Sequence, residues 1–225
     1  MLKPTDPTAL RLRYAPITPS DRQALALRVA ALDMAIASPG AGGKTTVLLA
    51  GAAQYADVPG YVGIVARRRW DDMVAPGGIV ETADRWFGPH GDRRDTSAGI
   101  QWGFPGGGRI LLTHGDVDLA AFRWLDVQYV GIDEAQEFDD PSFYAALMEH
   151  VRPPVDGPLA DVPARGRVTY TDHANIEGKP VGLAWVLARY TDPATRTAQV
   201  WPLTHHDNPA IDSARYDQLA ERYGL

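Results

Sequence analysis

The chain has 225 residues, 45% of them hydrophobic and 22% charged, a composition typical of a globular protein long enough to bury its own core. It contains no cysteine, which excludes a disulfide framework and a thiolate metal site. The formal net charge of −6 argues against a surface coated in basic residues for nucleic acid, but it leaves room for a local basic patch. The sequence has no apolar stretch of membrane-spanning length and no signal-peptide core, so a cytoplasmic protein is expected.

The N-terminal part predicts an arm, a helix and a strand. Residues 1–17 contain Pro4, Pro7 and Pro16 and little periodicity, so they are expected to form an extended arm. A helix is predicted to begin after Thr18 or Ser20, either of which can cap it. The short apolar run 32–37 then predicts a buried strand.

The rest of the chain alternates apolar runs with amphipathic segments. Strands are predicted at 61–66, 100–104, 109–113, 129–132, 167–171 and 199–203. Helices are predicted at 47–55, 70–87 with a break, 140–151, 181–190 and 214–223, and a polar exposed loop at 89–97. This alternation predicts an α/β fold with a mostly parallel central sheet, helices on both faces and a β-hairpin insertion at 100–113. Residues 1–225 are expected to form a single domain.

A glycine-rich turn joins the first strand to the next helix. It consists of Ser38, Pro39, Gly40, Ala41, Gly42, Gly43, Lys44, Thr45 and Thr46. The turn matches the phosphate-binding pattern GxxxxGK[ST] except at its first position, where Ser38 replaces glycine. Free backbone N–H groups and the positive end of the helix would attract a nucleotide's phosphates. Lys44 would reach the β- and γ-phosphates and Thr45 would hold Mg²⁺; the alternative is a glycine turn before an ordinary helix.

Two carboxylates, Asp133 and Glu134, follow the apolar strand 129–132. The carboxyl ends of strands in an open α/β sheet form the edge where ligands bind. Asp133 suits the Mg²⁺ shell of a metal-triphosphate site, and Glu134 suits the group that orients or deprotonates the attacking water. The alternative is a helix N-terminus at which the acids favour the helix dipole.

Arginines offer positive charge for a phosphoryl-transfer transition state. Arg123 lies just ahead of the acidic strand, and Arg67, Arg68 and Arg69 end the second strand at the ligand edge. The triplet is a candidate for contact with DNA phosphates or with the nucleotide. Any single arginine could equally be a solvated surface residue.

Two residues upstream of the glycine turn are candidates for the nucleotide base. The ring of Tyr14 could stack on adenine, and the amide of Gln23 could pair with its edge. An exposed helix face is the alternative for Gln23.

The histidine pair His205-His206 precedes Asp207 and has the residue types of a metal site. We expect a poor site there, because adjacent residues on a strand face opposite ways.

The chain resembles the N-terminal ATPase domain of the large terminase subunit of tailed bacteriophages, the motor that packages viral DNA. The likeness rests on the order of several segments rather than on any one of them. These are the arm with Tyr14 and Gln23, 40–45, 55–61 leading into Arg67-Arg68, 101–110, 129–135, 182–190, and 207–209 with Tyr216 and Leu219.

This resemblance implies a P-loop NTPase core of the additional-strand, catalytic-glutamate type. It implies Walker A and B motifs, with Lys44 and Glu134 in catalysis, Asp133 and Thr45 on Mg²⁺, and ATP as the nucleotide. It also implies that ATP hydrolysis moves double-stranded DNA into a procapsid. The expected partners are DNA, bound weakly by this domain alone, the portal protein and the small terminase subunit. The protein would work in the cytoplasm of the bacterial host and transiently at the portal vertex.

The family pattern also directs attention to other residues. Thr171 and Asp172 stand where a coupling motif would end the next strand. The family often carries an arginine inside the glycine loop, where this chain has Gly40 and Ala41. The sensor arginine of the ATP site would then be Arg67, Arg68, Arg69 or Arg123. Of these, Arg123 could serve a neighbour's ATP. A homo-oligomeric ring of subunits that are monomers in solution is therefore expected.

Two further functions stay open at this stage. One is a nucleotide-dependent assembly module, which binds portal or small terminase and turns over little ATP as a monomer. The other is a different P-loop enzyme, such as a helicase-like motor. The family's nuclease domain would begin where this sequence stops, so nuclease activity is not predicted.

Overall fold

The computed structural model describes residues 10–38, 40–152, 156–171 and 182–223. Within them, eight strands form one sheet in the order β3-β4-β5-β2-β6-β7-β1-β8. The strands are β1 Asp33–Ser38, β2 Val62–Arg67, β3 Asp92–Thr96, β4 Gly99–Gly103, β5 Arg109–His114, β6 Tyr129–Ile132, β7 Arg165–Thr171 and β8 Gln199–Pro202. The run from β5 to β8 is parallel, and β4 pairs antiparallel with both β3 and β5.

Helices cover both faces of the sheet. They are α1 Asp21–Arg28, α2 Lys44–Ala53, α3 Trp70–Val74, α4 Ile79–Phe87, α5 Ser142–Met148, α6 Leu183–Tyr190 and α7 Ser213–Tyr223. On β1, Met34 and Ile36 pack into a core with α1 to α4, whereas Ala35 and Ala37 face a second core with α5 and α6. This alternation along a strand buried on both sides confirms the predicted α/β class with a mostly parallel sheet.

The N-terminal arm lies against the first of these cores. Its described part, residues 10–17, buries Tyr14 and Ala15 and packs Leu10, Leu12 and Ile17 beside them. Ser20 caps α1, and its side chain accepts a hydrogen bond from the Gln23 N–H. Residues 10–17 are therefore packed against the core.

The prediction of a polar loop at 89–97 is wrong in part. Residues Asp92–Thr96 form the edge strand β3, and all five side chains are exposed. A strand that buries no side chain carries no apolar alternation, so no hydrophobic pattern reveals it in the sequence, and it is held by its backbone pairing with β4. The charges of β3 also protect this edge of the sheet against pairing with other chains.

A polar cluster fixes the opposite end of β1. Asp33 Oδ1 accepts hydrogen bonds from the hydroxyls of Tyr144 (2.7 Å) and Tyr190 (2.8 Å). Its Oδ2 accepts one of 2.8 Å from Nε of Arg189. The cluster ties α5 and α6 to the first strand, far along the strand from the glycine loop.

The parallel strands bring the predicted motifs to one edge. The carboxyl ends of β1, β6 and β7 are adjacent, since β7 lies between the other two. Ser38 is the register partner of Thr171, and Ile132 is the partner of Val168. None of the described helices is long and apolar enough to cross a membrane.

Candidate nucleotide site

The glycine loop runs from the end of β1 to the start of α2. Gly43 precedes the helix in the left-handed conformation, with φ 74° and ψ 25°. A Cβ on Gly42 would lie 2.4 Å from Oγ of Ser38, so only glycine fits there. The Ser38 hydroxyl donates to the Gly40 carbonyl at 3.1 Å. The serine in place of the first glycine thus closes the loop on itself. Pro39 lies outside the described residues.

Lys44 begins α2 and is 6% exposed. Its ammonium donates hydrogen bonds to the carbonyl of Ser38 (3.2 Å) and the hydroxyl of Thr171 (2.9 Å). Oε1 of Glu134 lies 3.8 Å away. Burial lowers the pKa of Lys44, and the charges of Glu134 and Asp133 act in the opposite direction. A buried cation at a glycine loop, held in only a long ion pair with Glu134, suits a phosphate ligand.

Asp133 is fully buried at the end of β6. Its carboxylate accepts hydrogen bonds from the hydroxyls of Thr45 (2.9 Å) and Thr169 (2.7 Å). Burial raises the pKa of Asp133, the negative charge of Glu134 raises it further, and the Thr169, Arg67 and Thr45 contacts lower it. The side chains of Thr45 and Asp133 supply the hard oxygen ligands that Mg²⁺ prefers, so these residues fit the metal.

Glu134 occupies a strained backbone position directly after Asp133. Its φ of 51° and ψ of 56° are left-handed, which is uncommon for a residue other than glycine. Its N–H donates to the Thr169 hydroxyl, and its Oε2 accepts from Thr171 (2.9 Å) and Gln136 (2.5 Å). These contacts hold the carboxylate beside Lys44. Strain kept at a ligand edge is typical of functional sites.

Arg67 is the arginine of the triplet whose charge acts on this edge. It ends β2, and its charge lowers the pKa of Asp133. It forms an ion pair of 3.8 Å with Glu137, whose own pKa is raised chiefly by burial. Arg68 pairs with Asp116, and Arg69 is exposed at the start of α3. Arg67 therefore lies beside the carboxylates of the nucleotide site. Arg69 is exposed and stays a candidate for contact with DNA phosphates.

Arg123 lies on the surface. It follows the 3-10 turn Leu119–Phe122 and is exposed, and within the described part of the chain its side chain has no hydrogen bond or ion pair. It is not among the residues that contact Lys44, Asp133 or Glu134. This position leaves Arg123 accessible to another subunit.

The two residues predicted to hold adenine have other roles. Tyr14 is 3% exposed, and its ring packs 4.5 Å from that of Phe104 in the core. Its ring faces are therefore unavailable to a base, and that prediction is wrong. Gln23 is 2% exposed and lies behind the loop. Its amide donates to the Gly42 carbonyl and accepts from the Ser20 N–H, so it supports the loop instead of pairing with a base edge.

Sequence reasoning gave no role at the site to three residues, two of which, Asn208 and Tyr216, it named only as parts of a family-like segment. Thr169 is fully buried and bridges Asp133 to the Glu134 backbone. Asn208 donates a hydrogen bond of 2.7 Å to the Ala41 carbonyl, and the Tyr216 hydroxyl lies 3.0 Å from where a Cβ on Gly40 would stand. The alternation of Thr169 and Thr171 on one strand face was a usable signal for the first of these. Asp172, predicted beside Thr171, lies outside the described residues.

Comparison with known proteins gives structural matches only. No protein-family model matches the chain, and no curated protein matches it in sequence. A structure of large terminase from the thermophilic bacteriophage D6E superposes on 92% of this chain with a TM-score of 0.63 and 14% identity. A structure of the same terminase in complex with ADP also superposes on 92% of this chain, with a TM-score of 0.60 and 11% identity.

The chain has the fold of a large terminase. The resemblance stated from the sequence is thus confirmed for the fold. The chain spans about half the length of the terminase chains that it matches, 51% and 50% of them. Within this terminase fold, a buried lysine, a buried aspartate and a strained glutamate meet at the carboxyl edge of the sheet. That set can bind a phosphate chain with a divalent cation and orient a water molecule.

Proposed function

We propose that this chain is a Mg²⁺-dependent ATPase that moves double-stranded DNA into a viral procapsid. The observation that carries the proposal is the network in which Thr171 links Lys44 to Glu134 beside the buried Asp133. The terminase fold supports the motor role, and the ADP in one of the matched structures supports the choice of nucleotide.

Each residue of the edge has a part in this scheme. The glycine loop and Lys44 bind the phosphates, while Thr45 and Asp133 hold Mg²⁺. When bound, Mg²⁺ neutralises charge on the phosphates and polarises the transferred phosphoryl group. Glu134 orients the attacking water and takes its proton. Thr171 keeps the Glu134 carboxylate in place and connects it to β7, the strand that would couple ATP hydrolysis to DNA movement.

The motor is proposed to be a ring in which Arg123 completes the ATP site of a neighbour. Its exposure and its position apart from its own Lys44 support this arrangement. The proposed partners are duplex DNA, the portal protein and the small terminase subunit. The protein would be a monomer in the host cytoplasm and a ring at the portal vertex. Since the net charge is −6, the isolated domain would bind DNA weakly and in a salt-sensitive way.

ATP turnover measured against protein concentration tests the proposal. Turnover per chain should rise with concentration and with added duplex DNA, because a neighbour completes each site. Lys44→Ala should abolish turnover under every condition. Wild-type protein that hydrolyses no ATP at high concentration with DNA and portal present would contradict the motor role.

A second function is favoured by the same exposed Arg123. A chain whose ATP site needs Arg123 from a neighbour could bind ATP, assemble on portal or small terminase and hydrolyse little as a monomer. Turnover that stays negligible after assembly, with tight ATP binding, would favour this assembly module over the motor.

A further inference from the structure

A second group of metal-binding side chains lies between α7 and the 3-10 turn His205–Asp207. Nε2 of His205 is 2.6 Å from Oδ1 of Asp217, and Nε2 of His206 is 3.6 Å from the same oxygen. The candidate ligand atoms of the three residues all lie within 4.8 Å of one another. Ligands of a tetrahedral zinc ion stand about 3.3 Å apart, so a small rotation of these side chains would enclose an ion.

The local backbone explains why the two adjacent histidines face the same way. The sequence predicted opposite directions because it placed them on a strand, and that expectation is wrong. They lie in a 3-10 turn, and their ring centroids are 4.1 Å apart. Asp207, the sequence neighbour, is not part of this cluster. Its Oδ2 accepts hydrogen bonds from the N–H (2.8 Å) and hydroxyl (3.0 Å) of Thr204 and caps the turn.

We propose that His205, His206 and Asp217 bind one divalent transition-metal ion of the Zn²⁺ type. Two imidazoles and one carboxylate are a ligand set of catalytic and regulatory zinc sites, and water would fill the remaining position. The nitrogen ligands select against Mg²⁺ and Ca²⁺, which prefer oxygen. His206 and Asp217 are half-exposed, so an ion can enter from solvent.

The ion would fix α7 beside the glycine loop. The ring of Tyr216, next to Asp217, packs against the His205 ring at a tilt, with centroids 4.6 Å apart. The Tyr216 hydroxyl reaches the Gly40 position of the loop, and Asn208 donates to the Ala41 carbonyl. Metal binding would therefore hold the helix and the turn together where both contact the loop.

Metal titration of the tag-free chain tests the site independently of nucleotide. Zn²⁺ is titrated by calorimetry in excess Mg²⁺, which keeps the Asp133 position occupied, and Co²⁺ binding is followed by its visible absorption. We expect one ion per chain. His206→Ala and Asp217→Asn should each weaken binding at least tenfold, since even changes behind metal ligands cost roughly 10–100-fold.

Two matched variants control for general effects. His150→Ala removes a histidine elsewhere, and Glu221→Gln removes an exposed carboxylate of the same helix. Both should bind Zn²⁺ as the wild type does, and Zn²⁺ should raise the melting temperature of both and of the wild type but not of the cluster variants. Absence of saturable binding, or equal affinity in all five proteins, would overturn the proposal.

Discussion

The Thr171 hydroxyl donates a hydrogen bond of 2.9 Å to Oε2 of Glu134. The Thr171 hydroxyl oxygen in turn accepts a hydrogen bond of 2.9 Å from the Lys44 ammonium, and Lys44 Nζ lies 3.8 Å from Oε1 of Glu134. A neutral hydroxyl thus connects the cation of the loop to the acid of the neighbouring strand. It fixes the direction of both side chains, and the direct ion pair between them stays long, so the Lys44 ammonium can turn to phosphate.

Removal of this hydroxyl should affect turnover more than nucleotide affinity. Thr171→Val keeps the shape of the side chain but removes one of the two side-chain hydrogen bonds to the Glu134 carboxylate, so kcat should fall roughly 10-fold to 100-fold, the range expected from one hydrogen bond to a charged group. KM for ATP should change little, because the loop is intact. Thr171→Ser is the matched control and should retain most of the activity. A purely structural role would instead lower the melting temperature of Thr171→Val and leave kcat unchanged in the folded fraction.

The Asp33 cluster should contribute to stability far from the chemistry. Tyr144→Phe removes a hydrogen bond to the Asp33 carboxylate and should lower the free energy of unfolding by about 2 kcal/mol near neutral pH. Urea unfolding measures this loss. ATP turnover of the folded variant should equal that of the wild type, since the cluster lies at the amino end of β1. Unchanged stability would show that the hydrogen bond from Tyr144 to Asp33 is no stronger than the hydrogen bonds that both groups form with water in the unfolded chain.

The destabilisation caused by Tyr144→Phe should shrink on the alkaline side. Burial raises the pKa of Tyr144 well above its usual value, and the negative charges of Tyr190 and Asp33 raise it further. The unfolded chain loses these protons near pH 10 while the folded chain keeps them, so stability is complete below about pH 10 and falls above it. Each such tyrosine adds about 1.4 kcal/mol per pH unit to the fall. The slope above pH 10 should therefore be shallower in Tyr144→Phe than in wild type, and an identical slope would contradict the pKa assignment.

A mixture of two inactive variants should recover activity if Arg123 acts on a neighbour. Arg123→Ala keeps an intact loop, and Lys44→Ala keeps the arginine. In a mixed assembly, a Lys44→Ala subunit can supply Arg123 to the intact site of its Arg123→Ala neighbour. Turnover of the mixture should exceed the sum of the separate variants at the same total concentration. Arg69→Ala, a change at another exposed arginine, should not need such rescue, and a strictly additive mixture would rule out the shared site.

The sequence predicted the parts of the site that depend on local chain order. Lys44 and Thr45 follow a strand and open a helix, and Asp133 and Glu134 end another strand. Because parallel strands share a carboxyl edge, these four residues could be brought together without knowledge of the strand order. The α/β class followed from the same alternation of apolar runs.

Other features depend on tertiary neighbours that no local pattern reveals. The bridge through Thr169 requires β7 to lie between β6 and β1, and the sequence does not specify that order. The sequence cannot distinguish Tyr14 from an adenine-stacking residue, because a buried aromatic and a stacking aromatic look alike in sequence. The edge strand β3 was missed since its side chains bury nothing, and the His205-His206 pair was misjudged because a strand was assumed where the chain turns.

The most direct test of the account is ATP hydrolysis by Glu134→Gln beside wild type, with ADP affinity measured for both. The measurement uses high protein concentration, Mg²⁺ and duplex DNA, so that neighbours can complete each site. The amide keeps the size of the side chain and its hydrogen-bonding reach but cannot take a proton. We predict that turnover falls at least about 100-fold, the lower range for loss of a general base, while ADP affinity stays within a few-fold of wild type. Equal turnover in the two proteins would contradict the central claim that Glu134 activates water at this edge of the sheet.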